Sequence, residues 1–272
     1  MARAVEGACW EVIPLEGVER KLGHLPAGAT VAITCSPEQG IGATLELAAR
    51  LTQQGVSVVP HVAARLVRDR AHLREIADRL GALGIPRLFA VAGDVEQPVG
   101  RYDGALPLLR DMAELDHAIA EVGVACYPEG HPLIAAGTLL DLLADKEPFA
   151  AYGVTQMCLD PEAIARWVTA ARGRDIQLPI RVGVPGVASR AKLLQTAARI
   201  GVGKSIRFLR AHTRLVGELI RPGGFSPDEL LGGLAPHLAD PRLGLRGLHL
   251  FTFNQLEPTA RWHASMLSRI EG

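Results

Sequence analysis

A closed α/β barrel of eight parallel strands, with extra helices between strands seven and eight, is the fold this sequence predicts. Three observations carry that reading. Eight short apolar runs punctuate the chain, segments of helical period lie between most of them, and the composition is aliphatic. Of the 272 residues 48% are hydrophobic but only 4% aromatic, which suits strands buried on both faces by branched side chains. Alternating strands and helices imply a parallel sheet. Eight such units imply closure, the length suits a barrel, and no G-x-G-x-x-G turn follows the first strand to favour an open dinucleotide-binding sheet.

The runs read as strands because each is short, apolar and bounded by turn-forming residues. In order they are Ala8 to Pro14, Thr30 to Cys35, Val56 to Val62, Arg87 to Gly93, Val122 to Pro128, Tyr152 to Gln156, Pro179 to Val184 and Gly247 to Phe253. Helical spacing of apolar residues appears in Leu45 to Leu51, Ala71 to Leu83, Leu106 to Ile119, Leu133 to Leu143 and Pro161 to Ala171. The last has Pro161 at its first position and Asp160 as its cap. The longest interval, Pro185 to Arg246, holds two further helical stretches, Arg199 to Ile220 and Ser226 to Leu238, separated by a Pro- and Gly-rich turn. Without a linker, charge block or internal repeat, residues 1–272 read as a single barrel domain.

Lys+Arg and Asp+Glu balance at 29 each. No basic field is present to hold nucleic acid or an anionic membrane, so a small-molecule partner is expected, with a homo-oligomer possible. The four cysteines, Cys9, Cys35, Cys126 and Cys158, show no C-x-x-C spacing, which implies reduced thiols. The N-terminus lacks the apolar core of a signal peptide, and no run approaches a membrane span. A cytoplasmic protein is expected.

In a parallel barrel, active sites lie where the strands end. The strand ends here deliver Glu11, Thr34 with Cys35, His61, Asp94, Tyr127 with His131, Gln156, Val184 with Pro185, and Phe253 to Gln255. Glu11 either faces outward toward a helix, or stands half-buried in the mouth as an acid able to donate a proton near neutral pH. Asp94 either serves the site or caps the next helix. Tyr127 can stack against a planar ligand or merely pack. His61, His131 and His249, with the cysteines, raise zinc, but no pair has ligand spacing and His249 lies mid-strand, so no metal is expected. Gly201 to Ser205 resembles the tail of a phosphate loop, but no strand precedes it and a helix start is the better reading. No G-x-S-x-G is present, and Ser36 and Cys35 have no adjacent base.

The segments CWEVIP, AITCSP, VVPHVAAR, FAVAGD, ACYPEGHP, YGVTQMCLD, RVGVPG and LHLFTFNQ, in this order, resemble the flavin-dependent methylenetetrahydrofolate reductase family. The resemblance implies an enzyme that binds FAD across the strand ends. It implies reduction of that FAD by NADH or NADPH, and hydride transfer to 5,10-methylenetetrahydrofolate to give 5-methyltetrahydrofolate. Carried over by position, Glu11 and Asp94 are the catalytic pair: Glu11 is the general acid that helps open the folate ring, and Asp94 is the charge beside flavin and pterin. Gln156, Asp94 and Gln255 fall on the substrate side. Thr34, His61, Ala92, Gly93, Asp94, Tyr127, His131 and Lys146 fall on the FAD side.

The sequence also departs from the family pattern. Ala92 stands where Arg precedes the Gly-Asp pair, and Ser36-Pro37-Glu38-Gln39 replaces a Gly-rich turn. Thr138 replaces an acid that meets the ribityl chain, Thr196 a stacking Phe, and Gln255 an Arg. Because these positions concern FAD and nicotinamide binding, two alternatives stand beside the leading one. One is a reductase that passes hydride directly from NAD(P)H without FAD; the other is a non-catalytic folate-binding or accessory protein on the same barrel.

Overall fold

The computed structural model describes residues 1–131, 134–189, 193, 195 and 225–271. Its eight strands, β1 (Cys9–Val12), β2 (Thr30–Ile33), β3 (Ser57–Ala63), β4 (Arg87–Val91), β5 (Glu121–Cys126), β6 (Tyr152–Thr155), β7 (Ile180–Pro185) and β8 (Leu245–Phe251), pair in sequence order into one closed barrel. Every pairing is parallel, and the ring closes where Cys9, Trp10 and Glu11 of β1 align with His249, Leu250 and Phe251 of β8. All eight runs read from the sequence are strands. Most end one to two residues short of the apolar run, because the last residues of each turn outward into the loops that form the mouth.

Among the described residues the helices are α1 (Ala2–Glu6), α2 (Glu19–Leu22), α3 (Gly40–Gln53), α4 (Arg70–Ala82), α5 (Ala105–Ala113), α6 (Ala136–Lys146), α7 (Pro161–Arg172), α8 (Asp228–Ala239) and α9 (Leu256–Glu271). Helix α7 begins as its sequence requires: the Asp160 carboxylate accepts from the Glu162 and Ala163 amides at 2.9 and 3.1 Å, and Pro161 occupies the first turn. Helix α5 is shorter than its apolar spacing suggests. Leu115 and Ile119 are buried as a helix would bury them, but the chain leaves helical geometry at Glu114, and the His117 ring accepts from the Ile119 amide instead. Helix α6 starts at Ala136 rather than Leu133, after His131 and Ile134 form an isolated antiparallel bridge. Of the two helical stretches expected between β7 and β8, the second is α8; Arg199 to Ile220, with the Gly201 to Ser205 segment, lies outside the described residues, as does Thr196.

The apolar residues divide into two cores. A large one, including Trp10, Val31, Leu51, Leu80 and Leu108, lies between the strands and the helical ring. A small one, Cys9, Ala32, Val59, Phe89 and Val154, fills the barrel axis. Strand alternation sends these five inward, and the residues two further on then emerge above the plug. Interior space is tight enough to select for glycine: a Cβ on Gly183 would fall 2.1 Å from the Thr155 carbonyl oxygen and 2.6 Å from the Phe251 ring. No disulfide joins the four cysteines, and among the described residues no helix is long and apolar enough to cross a membrane.

Candidate active site

Glu11 lies on β1 with the same inward parity as Cys9, so its side chain rises directly over the axial plug. The alternative in which it faces the outer helices is excluded. Its Oε2 lies 3.1 Å from His249 Nε2 and 4.0 Å from His61 Nε2, and its side chain is 16% exposed. The three donor atoms fall within 4.8 Å of one another. Parallel closure of β8 against β1 makes this possible: His249 sits in register with Cys9, one inward step below Glu11. Ligand spacing along the chain, the ground on which a metal was discounted, says nothing about such a group, since each residue comes from a different strand.

The backbone around Glu11 is fixed from β8. Thr252 Oγ1 donates to the Glu11 carbonyl at 2.5 Å. Beyond it the Asn254 side chain clamps Ile13, accepting from its amide and donating to its carbonyl, each at 2.9 Å. Phe253 and Asn254 reach this position through left-handed backbone, with φ of 51° and 59°. Asn254 is buried, whereas Gln255 is exposed and its backbone amide donates to the Thr252 carbonyl.

The two imidazoles beside Glu11 differ. His61 packs its ring on Phe89 with centroids 4.7 Å apart, and its Nε2 is buried without a hydrogen-bond partner. Burial pushes its pKa down to about 4, against the pull of Glu11 and with a small push from His249, so it is neutral. For His249 burial again opposes the charge, but hydrogen bonds to Cys9 and Glu11 outweigh it and carry the pKa up to about 9.

A second group of site residues gathers around Asp94. The residue follows β4 through Gly93, whose φ is +93° and whose missing Cβ would sit 3.0 Å from the Ala63 Cβ, so the turn requires glycine. Asp94 is exposed and does not cap the next helix, which begins only at Ala105. Its charge is felt across the mouth by Cys35, Tyr127 and His131. Burial, with Cys126 and Asp94 adding to it, holds the Tyr127 hydroxyl up at about 12. Burial lowers His131, with Asp94 opposing and Arg65 assisting. The Tyr127 and His131 rings meet edge to face at 5.2 Å. Ala92 contributes its carbonyl to the Arg65 amide.

Thr34 follows β2, and its hydroxyl is buried without a partner, although its carbonyl accepts from Thr44. A buried hydroxyl left unpaired costs about 1–3 kcal/mol, and a ligand group arriving in the mouth would satisfy it. Gln156 lies at the end of β6 with its side-chain oxygen accepting from the Met157 amide at 2.9 Å. Lys146 stands apart. Its ammonium donates to the Ala125 carbonyl at 3.3 Å beside Cys126, and burial lowers its pKa. Thr138 is exposed on α6.

The structure therefore brings Glu11 and His61 together on the axis, gathers Thr34, Gly93, Asp94, Tyr127 and His131 in the mouth, and ties Lys146 to β5. Sequence reading missed the partnership of His249 with Glu11 and the clamp by Asn254. The signal for the first was inward parity: His249 and Glu11 each lie an even number of residues from a position on the inner face.

A 5,10-methylenetetrahydrofolate reductase of Pectobacterium carotovorum subsp. carotovorum is 30% identical over 154 residues, a match that takes in 53% of this chain and 48% of the relative. The chain thus spans about half the length of that curated relative. The sequence profile described as methylenetetrahydrofolate reductase matches residues 20–205, taking in strands β2 to β7 with Asp94, Tyr127 and Gln156. On that match the chain belongs to the methylenetetrahydrofolate reductase family.

Proposed function

We propose that this protein reduces 5,10-methylenetetrahydrofolate to 5-methyltetrahydrofolate, with NADH or NADPH as the hydride source and FAD as the intermediate carrier. The observation that carries this reading is the placement, in one barrel mouth, of a half-buried carboxylate on a fixed strand and an exposed carboxylate beside an aromatic edge. The first is suited to giving a proton and the second to facing a developing cation.

The residues present fit a flavin. The unpaired Thr34 hydroxyl is a ready partner for a polar edge, Gly93 opens backbone where a Cβ would not fit, and Tyr127 with His131 offers an aromatic wall. Thr34, His61, Ala92, Gly93, Asp94, Tyr127 and His131 would hold the group. Bound there, FAD would supply two-electron hydride chemistry between the nicotinamide and the one-carbon unit. Glu11 protonates the folate amine nitrogen as the imidazolidine ring opens. Asp94 holds negative charge beside the resulting iminium, and Gln156 with Gln255 orients the pterin side. The Phe89 and His61 rings close the axis beneath Glu11 and keep bulk water from reaching it from below.

A second reading, direct hydride transfer without FAD, is favoured by Ala92, which stands where the family pattern has an Arg, and by the engagement of Lys146 with Ala125. Absorbance of the freshly purified protein decides between the two. A flavin spectrum that bleaches with NADH or NADPH under anaerobic conditions and returns on adding 5,10-methylenetetrahydrofolate is the expected result. A colourless protein that gains no bound flavin on incubation with FAD and still turns over the folate selects the second reading.

A further inference from the structure

The acid in this site is not isolated. Its Oε2 is held by a histidine that comes from the last strand and lies one inward step below, with its own ring steadied edge-on by Phe251 at 5.1 Å. His249 is buried, so it does not meet the substrate; whatever it contributes passes through Glu11. The neighbouring His61 is 4.0 Å from the same oxygen, beyond hydrogen-bond reach. One imidazole is hydrogen-bonded to the carboxylate and the other is not.

Resting on the function proposed above, we propose that His249 holds the proton that Glu11 delivers, so that the acid of this site is a buried carboxylate–imidazolium pair rather than a lone carboxyl. The proton on His249 Nε2 passes to Glu11 Oε2, and Glu11 passes it to the folate amine nitrogen. The bond from that nitrogen to the methylene carbon breaks with its electron pair remaining on nitrogen, which the proton neutralises. The methylene carbon is left as the iminium that takes the hydride. His249 ends neutral, Glu11 ends ionised, and the pair regains one proton from solvent after product leaves. His249 is thus a positioning and proton-holding residue acting through Glu11.

The surroundings agree with storage of the proton at this point. Facing the pair are Cys9 on β1, hydrogen-bonded to His249, and His61 on β3, held neutral by burial. Arg87, Glu121, Tyr152 and Arg181, from β4 to β7, line the N-terminal side of the same axial cavity. With its pKa raised to about 9, His249 carries the proton throughout the neutral range and loses it only as pH rises through that value. A solvated carboxyl, with an ordinary value of about 4.3, would have shed its proton well below neutrality.

The test is 15N NMR of imidazole-labelled wild-type protein titrated from pH 5 to 10, which needs neither cofactor nor turnover. His249 is expected to remain an imidazolium at pH 7 and to titrate near 9, and Glu11→Gln should bring it toward the ordinary value of about 6.5. In parallel, His249→Gln should move the alkaline limb of kcat for folate reduction to lower pH. At pH 8 that is a loss of about tenfold or more, with the KM for the folate changing less than kcat. A neutral His249 at pH 7, a titration unmoved by Glu11→Gln, or a stoichiometric divalent ion bound at the pair overturns the proposal. Absence of folate reduction by the wild type with either nicotinamide overturns the function itself and the delivery step with it. Folate reduction together with a neutral His249 removes the pair and leaves the function standing.

Discussion

Glu11→Gln is expected to lower reduction of 5,10-methylenetetrahydrofolate by about 10²- to 10⁴-fold, the range for loss of a positioned general acid. The replacement keeps the shape and the polar contact to His249 but carries no dissociable proton. Its backbone remains clamped by Thr252 and Asn254, so the fold and the position of the side chain should survive. The loss should fall on the folate half of the cycle. Oxidation of NADH or NADPH with a quinone as acceptor requires no proton on a folate nitrogen, so it measures the remainder of the site in the same preparation. Equal loss in both assays would show that Glu11 serves the nicotinamide step or the fold, and the acid assignment would fail.

Asp94→Asn is the second large effect expected, about a hundredfold in kcat for the folate, comparable to losing one charge-stabilising group in a preorganised site. The amide fills the same space at the exposed end of the Gly93 turn, so binding of substrates should change less than turnover. A spectroscopic companion follows from the electrostatics. Asp94 raises the pKa of His131 and of the Tyr127 hydroxyl. Removing its charge should therefore lower both. In an NMR titration His131 should move further below its ordinary value. A variant with unaltered kcat, or one in which His131 does not move, would place Asp94 away from the chemistry.

Much of the architecture could be read from the chain because barrel strands are written locally. Each apolar run is buried on both faces, and neither its existence nor its order depends on distant residues. The capping of α7 by Asp160 and Pro161 was legible for the same reason. The end of α5 was not, since Leu115 and Ile119 stay buried at helical spacing after the helix has stopped. At the site, Glu11, Asp94 and Tyr127 stood out as polar residues at the ends of apolar runs. His249 was legible only as a candidate metal ligand, because a histidine inside a strand reveals no partner until ring closure sets β8 beside β1. Asn254 was likewise hidden: its function is to grip a backbone 241 residues away. Lys146, matched to the FAD side by resemblance alone, turns its charge toward Ala125, a contact that no motif records.

The central proposal is one barrel mouth in which Glu11 and Asp94 serve the same folate. The most direct measurement is chromatographic identification of the product formed by the purified chain from 5,10-methylenetetrahydrofolate with NADH or NADPH, alongside Glu11→Gln. Stoichiometric 5-methyltetrahydrofolate from the wild type, and almost none from the variant, is the expected result. Folate recovered unchanged from the wild type with both nicotinamides, with and without added FAD, would contradict it.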